Sequence, residues 1–330
     1  MKILILGGTI FLGRHIVDSA LEKGYELTLF NRGQHNPDLF PEIEKIHGDR
    51  KTDIDKLKGR EWDAVIDTCG YVKSDAVKST QVLKDTTGKY IFISSLSVYA
   101  DFKKPGIDES YPVGKIEDED VEEMNFENYG PLKALCEDVV CKAYPHSHVN
   151  ARAGLLVGPY DFSDRFTYWV RRVAEGGKIL CPGDGNTLIE YIDIRDLADW
   201  TLKMAENDSC GTYNATGLDH EYTMREFLED CRSVSGSDAE FIWADDEFLK
   251  ENNVAPWTDM PLWLPDSDPE FAGFSKINID KALNDGMTFR KPADTIKATL
   301  DWDRTRTDVK EMRAGLKKER EAELIKLLET

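Results

Sequence analysis

The fold is decided by the turn Gly7-Gly8-Thr9-Ile10-Phe11-Leu12-Gly13, which follows the apolar run Ile3-Leu4-Ile5-Leu6. A helical pattern then extends from about Leu12 to Lys23, and Gly24 marks its end. Between a first strand and a first helix, a glycine-rich turn is where a dinucleotide pyrophosphate binds, because the turn amides and the helix N-terminus face the phosphates. The sequence therefore predicts a phosphate-binding turn. An ordinary strand–helix turn, with glycines for geometry alone, is the alternative.

Apolar runs of strand length alternate with helical stretches beyond this turn. Further strands are expected at Leu27–Phe30, Ile43–His47, Ala64–Asp67, Tyr90–Ser94 and His148–Ala151. Helical stretches are expected near residues 52–58 and 73–84 and at about Tyr129–Ala143. Near-continuous apolar strands that alternate with helices are typical of a parallel sheet covered on both faces.

This pattern predicts an α/β fold with a Rossmann-type doubly wound parallel sheet and a smaller C-terminal substrate-capping portion. The dinucleotide-binding domain is expected at residues 1–155, and part of 186–220 is expected to return to it. Residues 156–330 are expected to be mainly the substrate-binding portion. They end in a charged helix over about 309–329, with Leu316, Leu324, Leu327 and Leu328 on its apolar stripe.

The charge balance argues against some classes of partner. The chain has 42 Lys and Arg against 62 Asp and Glu among 330 residues, so its net charge is −20. Such an acidic surface repels polyphosphates, which argues against nonspecific binding to nucleic acid or an anionic membrane. The acidic run at residues 117–123 is interpreted as a solvated loop, with a cation site as the alternative.

The remaining composition signals favour a cytoplasmic protein without a metal site. No stretch of about 18 apolar residues occurs, and the N-terminal apolar run is too short for a signal peptide. The six cysteines form no CxxC pair and no metal-ligand spacing, so reduced thiols and no bound metal are expected.

A second motif, Tyr129-Gly130-Pro131-Leu132-Lys133, lies at the start of a predicted helix. Residues four apart share one helix face, and a nearby ammonium group lowers the pKa of a phenol toward the range useful for a base. Tyrosine and lysine also occur at this spacing by chance, so a surface pair is the alternative.

Together these motifs resemble the extended short-chain dehydrogenase/reductase superfamily, in its nucleotide-sugar-epimerase-like branch. The family turn usually reads Gly-Gly-x-Gly-Phe-Ile-Gly, and Ile10 stands here at its middle glycine. The run Ser94-Ser95-Leu96-Ser97-Val98-Tyr99 resembles the family's Ser-Ser-x-x-Val-Tyr. The resemblance implies a catalytic triad of Ser95, Tyr129 and Lys133. In that triad Ser95 positions the substrate oxygen, Tyr129 exchanges its proton and Lys133 tunes the tyrosine.

The same resemblance implies a nicotinamide dinucleotide as cofactor. Its predicted contacts, beside Tyr129 and Lys133, are Gly7, Thr9, Ile10, Phe11, Leu12, Gly13, Asn31, Arg32, Asp49 and Arg50. NAD-specific members usually carry an acidic residue where Asn31 and Arg32 stand. Because a guanidinium suits a 2′-phosphate, NADP is predicted and NAD is the alternative. A solvated surface arginine is the other interpretation of Arg32.

The second half offers substrate contacts. The run Tyr191-Ile192-Asp193-Ile194-Arg195-Asp196 resembles the family's Val-His-Val-x-Asp segment. In nucleotide-sugar enzymes of this branch, arginines from this half hold the substrate diphosphate, so Arg165 and Arg195 are predicted contacts. Arg171 and Arg172 belong to the same group, for which surface arginines are the alternative.

These expectations combine into an NAD(P)-dependent reductase or epimerase. It would transfer hydride at a carbinol or carbonyl carbon of a nucleotide sugar or a small ketone. Dehydration is disfavoured, because Leu96 and Ser97 stand where the family's 4,6-dehydratases carry an Asp-Glu pair. The alternative from another class is an RNA-binding or scaffold protein on the same fold, as in plant chloroplast stem-loop RNA-binding relatives. A homodimer is possible.

Overall fold

A parallel β-sheet with helices on both faces organises the chain, which is described here by a computed structural model covering residues 1–307 and 311–330. The strands are β1 (Lys2–Leu6), β2 (Glu26–Asn31), β3 (Glu44–His47), β4 (Trp62–Asp67), β5 (Thr87–Ser95), β6 (His148–Ala153), β7 (Leu156–Val157), β8 (Lys178–Pro182), β9 (Ile192–Asp193), β10 (Gly211–Ala215) and β11 (Glu240–Ala244).

The helices connect and cover these strands. They are α1 (Phe11–Glu22), α2 (Lys73–Leu83), α3 (Tyr129–Ala143), α4 (Arg165–Ala174), α5 (Ile194–Glu206), α6 (Met224–Ser235), α7 (Asp246–Glu251), α8 (Asp280–Asn284), α9 (Pro292–Asp303) and α10 (Lys318–Leu328).

The order of the strands defines the site edge. Within the described residues, the main sheet has seven strands in the order β10-β6-β5-β4-β1-β2-β3, and all their pairings are parallel. The chain runs outward from β1 in one direction to β3 and in the other to β10. Ligands of such sheets bind at the carboxyl ends of the strands, where the order reverses. The predicted Rossmann-type doubly wound fold is confirmed.

Both faces of this sheet are buried, which explains the continuous apolar runs. Side chains along a strand alternate between its faces. Ile3 and Ile5 therefore join a core that includes residues of α1 and α5, whereas Leu4 and Leu6 join a core that includes residues of α2 and α3.

A further core lies in the second half of the chain. It joins residues between 157 and 325, including Phe166 and Trp169 of α4 and Phe227 of α6. The short parallel pair β8–β11 borders it. Helix α5 leaves this half and packs on α1, and Ala282 and Met287 also join the first core.

The structure differs from the predicted element bounds in two informative places. The stretch near 52–58 forms only a short 3₁₀ turn at Ile54–Leu57. The C-terminal helix begins at Lys318 rather than near 309, and part of the predicted range (308–310) lies outside the described residues. Gly315 has a left-handed φ of +94°, and its amide donates to the Thr258 carbonyl at 2.7 Å, so this segment is held as a loop. Leu324 is buried as predicted for a docked helix, whereas Leu327 is 51% exposed.

The glycine-rich turn is held by close backbone packing. Gly7 has a φ of +111°, and a methyl group on Gly13 would lie 2.8 Å from the Gly8 amide nitrogen. Ile10 has φ −127° and ψ 140°, an extended conformation open to any residue, and its side chain is 46% exposed. At the position where the family usually has its middle glycine, the backbone conformation of this chain therefore does not require glycine.

A buried ion pair fixes the ends of β3 and β4. The Arg50 guanidinium donates from both terminal nitrogens to the two oxygens of Asp67, at 2.9 and 2.8 Å, and the Tyr90 hydroxyl donates to the same carboxylate. Burial alone raises the pKa of Asp67, but the charge and hydrogen bonds of Arg50 outweigh it and hold that pKa below its ordinary value. The pair therefore contributes stability at neutral pH that is lost as acid protonates Asp67.

Gly13→Ala tests the packing of the turn. Helix propensity alone favours alanine by about 1 kcal/mol. The new methyl group collides with backbone that cannot move independently, so we expect a net loss of about 1–3 kcal/mol in the free energy of unfolding, measured by denaturant titration. Glu22→Ala, an exposed change in the same helix, should stay within about 0.5 kcal/mol of wild type. A Gly13→Ala protein more stable than wild type would contradict this packing.

Arg50→Met tests the buried pair. Because it leaves Asp67 charged and uncompensated, we expect a loss of about 3–5 kcal/mol in unfolding free energy at neutral pH. The loss should shrink as the pH is lowered, since protonation then relieves the buried charge. The matched control is Lys51→Met, which removes the neighbouring exposed cation and should cost at most about 1 kcal/mol.

The double variant Arg50→Met/Asp67→Asn keeps this test informative if the single variant folds poorly. Removing both charges should recover part of the lost stability. A double variant no more stable than Arg50→Met would show that the ion pair is not the source of the effect.

Candidate active site

One long cleft of about 1060 Å³ runs along the carboxyl edge of the main sheet. It begins at the glycine-rich turn, passes the ends of β2 to β5 and continues into the second half of the chain. This volume exceeds that of an ordinary small-molecule pocket, so it has room for a dinucleotide together with a substrate.

The structure brings all the predicted cofactor residues to this cleft. Its lining includes Gly7, Thr9, Ile10, Phe11, Leu12, Gly13, Asn31, Arg32, Asp49 and Arg50. It also includes Thr68, Cys69 and Tyr71, which sequence reasoning missed. Thr68 directly follows β4, so its place at the carboxyl edge was a usable signal.

Three of these polar residues differ in what their side chains do. Asn31 links the turn to the loop after β2: its amide donates to the Gly7 carbonyl at 2.9 Å, and its oxygen accepts from the Gly33 amide at 2.9 Å. Arg50 is turned inward to Asp67, so its visible role is to position the site. Arg32 is exposed at the rim of the cleft.

The glycine-rich turn has a shape that suits a dinucleotide pyrophosphate, and a larger residue at Gly7 would disturb that shape. A methyl group at Gly7 would lie 2.3 Å from the Thr68 hydroxyl oxygen. Residues 7–13, which form this turn and the start of α1, all line the cleft, and backbone amides at a helix N-terminus are the groups that bind a pyrophosphate. The chain's own geometry is therefore compatible with that cofactor.

Ser95 and Tyr129 meet because one glycine allows α3 to approach the end of β5. A methyl group on Gly130 would lie 1.9 Å from the Ser97 carbonyl oxygen, so only glycine fits. Ser95 ends β5, and its hydroxyl oxygen accepts from the Ser97 amide at 3.1 Å. Burial raises the pKa of Tyr129, and an interaction with the Ser95 hydroxyl opposes that shift.

Lys133 lies one turn further along α3 and is only 3% exposed. Its ammonium donates to the Ile93 carbonyl at 2.6 Å and to the Gly70 carbonyl at 2.8 Å. An ammonium has three donors, so one remains for a ligand in the cleft. Burial lowers the pKa of Lys133 to about 8.

The expected lowering of the Tyr129 pKa by Lys133 is not what the structure has. The pKa of Tyr129 is raised, because burial dominates while the Lys133 ammonium is directed at two carbonyl oxygens. Without further groups in the cleft, Tyr129 is therefore a protonated phenol at neutral pH.

The predicted arginines of the second half separate. Arg165 lines the cleft, and its guanidinium carbon lies 5.7 Å from the Trp257 ring centroid. Arg195 does not line the cleft, because its guanidinium is bound to Asp193 at 2.6 and 3.0 Å. Arg171 and Arg172 are bound to Asp303 and Glu321, each at 2.7 Å. Asp303 and Glu321 are distant in sequence from Arg171 and Arg172, so sequence spacing could not reveal these two partners, whereas Asp193 stands two residues before Arg195.

The described ranges contain neither a cluster of metal ligands nor a helix suited to crossing a membrane. In residues 1–307 and 311–330 no group of three or more His, Cys, Asp or Glu side chains is arranged to hold a metal ion. None of the helices there combines the length and the apolar composition that a bilayer crossing requires.

Comparison with known proteins agrees with this geometry. The family model of the NAD dependent epimerase/dehydratase family matches residues 3–216. A bifunctional UDP-glucose 4-epimerase and UDP-xylose 4-epimerase of Arabidopsis thaliana is 26% identical over 299 residues, covering 71% of this chain and 81% of that protein.

Two further proteins are similar to this chain. The chloroplast stem-loop binding protein of 41 kDa b from Arabidopsis thaliana is 24% identical over 242 residues. The match covers 66% of this chain and 58% of the length of that protein. The structure of a UDP-glucuronic acid 4-epimerase from Bacillus cereus in complex with NAD superposes with a TM-score of 0.65. It is 18% identical and covers 92% of this chain and 96% of that one, and this likeness concerns the fold.

The family model covers well over half of the chain, and the motifs that resemble the extended short-chain dehydrogenase/reductase superfamily lie within the matched range. That resemblance is thereby confirmed. The chain belongs to the NAD dependent epimerase/dehydratase family, and it is a nicotinamide-dinucleotide-dependent epimerase or reductase.

Proposed function

We propose that this protein transfers hydride at a carbinol or carbonyl carbon, with Ser95, Tyr129 and Lys133 as its catalytic residues. The observation that carries the proposal is the convergence of these three side chains in one cleft, between the glycine-rich turn and the second half of the chain. A nicotinamide dinucleotide, when bound, supplies or accepts the hydride.

Each of the three residues has a task that follows from its surroundings. The Ser95 hydroxyl donates a hydrogen bond to the substrate oxygen and holds it beside the Tyr129 phenol. In reduction Tyr129 donates its proton to that oxygen, and in oxidation it takes the proton back. Lys133 uses its free donor to hold a hydroxyl group of the cofactor ribose. Its two carbonyl contacts fix the ammonium at the floor of the cleft.

The raised pKa of Tyr129 favours its role as a proton donor. A phenol that stays protonated at neutral pH is ready for reduction of a carbonyl group, whereas oxidation needs the phenolate. Reduction is therefore expected to fall, and oxidation to rise, as the pH increases toward the pKa of Tyr129.

Two substrate classes agree with this chemistry. A nucleotide-linked sugar is supported by the 4-epimerases among the relatives and by Arg165 in the cleft. A small ketone agrees as well, because its reduction requires no protein side chains beyond Ser95, Tyr129 and Lys133. The RNA-binding alternative is not part of this proposal, because the net charge of −20 opposes a polyphosphate partner.

We also propose NADP(H) as the preferred cofactor. No carboxylate stands at the end of β2, where Asn31 and Arg32 lie, to accept hydrogen bonds from the ribose hydroxyls and repel a 2′-phosphate. The Asn31 amide is already committed to Gly7 and Gly33. The exposed Arg32 guanidinium is the group that suits a 2′-phosphate.

Tyr129→Phe tests the mechanism. The variant keeps the ring and its packing but loses the oxygen that carries the proton. We expect turnover of any accepted substrate to fall by about 10²-fold or more, followed by the absorbance of the reduced nicotinamide. Cofactor affinity, measured by calorimetric titration, should change little.

The control is Tyr25→Phe, at the opposite end of the sheet, where the phenol donates to Glu206. This variant should keep wild-type turnover. Turnover near that of wild type in Tyr129→Phe would exclude Tyr129 as the proton-carrying group.

Arg32→Asp tests the cofactor preference. Replacing a charge-assisted phosphate contact by a carboxylate should weaken NADP(H) binding by about ten- to a hundred-fold relative to NAD(H). Titration of both cofactors against both proteins measures this ratio. Lys84→Asp makes the same change of net charge at an exposed position outside the cleft, and should leave the ratio unchanged. If wild type binds NAD(H) more tightly, or if Arg32→Asp keeps the ratio, Arg32 is a surface residue.

A further inference from the structure

The part of the cleft beyond Ser95 forms a chamber whose lining comes mainly from the second half of the chain. Ser95 pairs with Ala153 of β6, which pairs with Ala215 of β10, so the chamber continues from the catalytic serine across these two strands. We call this region the substrate chamber. It is lined by Leu96, Phe102, Phe126, Leu155, Arg165, Glu190, Thr216, Trp257 and Phe274.

One wall of the substrate chamber is aromatic. The Phe102 and Phe274 rings lie 5.1 Å apart at 64°, and the Trp257 and Phe274 rings lie 5.2 Å apart at 83°. Phe126, on the loop before α3, also borders the chamber and is 97% exposed. Rings at these distances and angles stabilise one another and present a continuous surface to another ring.

Trp257 is held in this wall at a conformational cost. Its φ of +64° is unfavourable for a bulky residue, and its amide donates to the Met260 and Trp263 carbonyls at 3.1 and 3.2 Å. Strain of this kind concentrates at ligand-binding positions, where the surrounding structure maintains it.

The chamber holds little positive charge. Of the Lys and Arg side chains in the described ranges, only Arg165 reaches it, and the charge of Arg165 acts on the adjacent cleft carboxyl group of Asp161. Arg171, Arg172 and Arg195 are committed to carboxylates elsewhere. Diphosphate groups are held by clusters of guanidinium and ammonium groups.

The chamber, at Glu190, and the cleft wall beside it, at Asp161, also penalise negative charge. Asp161 is only 2% exposed, its Oδ2 has no hydrogen-bond partner within the described residues, and burial raises its pKa. Glu190 accepts from the Ile277 amide at 3.2 Å, and burial raises its pKa to about 8. Surroundings that disfavour the charged form of two carboxyl groups disfavour a diphosphate for the same reason.

We propose that the substrate is an uncharged aryl ketone, or the matching aryl carbinol, rather than a nucleoside diphosphate sugar. This inference rests on the proposed function. Its aromatic ring packs against Phe102, Trp257 and Phe274 while its oxygen lies between Ser95 and Tyr129. In reduction the carbonyl carbon gains a hydride from the reduced nicotinamide, which is oxidised. The carbonyl π pair moves to oxygen, and that oxygen takes the Tyr129 proton, which solvent replaces.

The test compares three probes on the full-length protein with saturating NADP(H): acetophenone, cyclohexyl methyl ketone of similar size, and UDP-glucose. Binding is measured by quenching of tryptophan fluorescence and turnover by nicotinamide absorbance. We expect acetophenone to bind about tenfold more tightly than cyclohexyl methyl ketone, because only acetophenone has an aromatic ring that can make two or three ring–ring contacts with the wall. UDP-glucose should compete at least about tenfold more weakly than acetophenone.

Variants of the wall locate the effect. Trp257→Leu and Phe274→Leu should each weaken acetophenone binding by about three- to tenfold and leave cofactor affinity unchanged. Two variants are used because either one alone could disturb folding. Phe241→Leu, a matched change at a partly buried ring of β11 that does not line the cleft, should bind acetophenone like wild type.

The outcomes separate this proposal from the proposed function. Interconversion of UDP-glucose and UDP-galactose, or equal affinity for the two ketones, would overturn the aryl-ketone assignment and leave hydride transfer standing. Failure of acetophenone to bind would also overturn it. If Tyr129→Phe turned over substrate like wild type, the proposed function itself would fail.

Discussion

Two close backbone contacts, each possible only at glycine, determine where the functional residues lie. Gly13 brings α1 against the Gly8 amide, and Gly130 brings α3 against the Ser97 carbonyl oxygen. The first contact shapes the turn that is suited to phosphates. The second places Tyr129 at the end of β5, beside Ser95. Both contacts are at the carboxyl edge of one parallel sheet, so two separate strand–helix connections open onto one cleft.

Buried charge beneath the cleft adds rigidity at the same edge. Lys133 spends two of its donors on carbonyl groups of β5 and of the loop after β4, while Arg50 joins the ends of β3 and β4 through Asp67. Such groups cost free energy to desolvate, so they hold their positions only while their partners stay in place. The cofactor half of the cleft is thus a preorganised surface, in which charged residues mainly position other residues.

The sequence predicts the first half of the chain well, because its signals are local. The apolar runs place the strands correctly, since both faces of the sheet are buried. Helix α3 has the predicted bounds, Tyr129–Ala143. The roles of Arg50 and Arg171 were not predictable in this way, because they depend on Asp67 and Asp303, which are distant in sequence, and which acid meets which arginine is then a tertiary property. The same holds for Ile10, whose harmless extended backbone is a consequence of the folded turn, and for the loop at Gly315.

The part of the cleft near the glycine-rich turn and the substrate chamber differ in positive charge, and under the proposals made above this contrast separates cofactor binding from the choice of substrate. Near the glycine-rich turn, residues 7–13 and Arg32 line the cleft, an arrangement suited to the phosphates of a dinucleotide. In the second half of the chain, outside the cleft, Arg171, Arg172 and Arg195 form ion pairs with carboxylates of the protein itself. Arginines used in this way hold α4 to α9 and α10 and leave the substrate chamber to aromatic side chains. Under the two proposals made above, the same fold therefore keeps the chemistry of Ser95, Tyr129 and Lys133, while the substrate chamber beside them selects by ring packing rather than by phosphate charge.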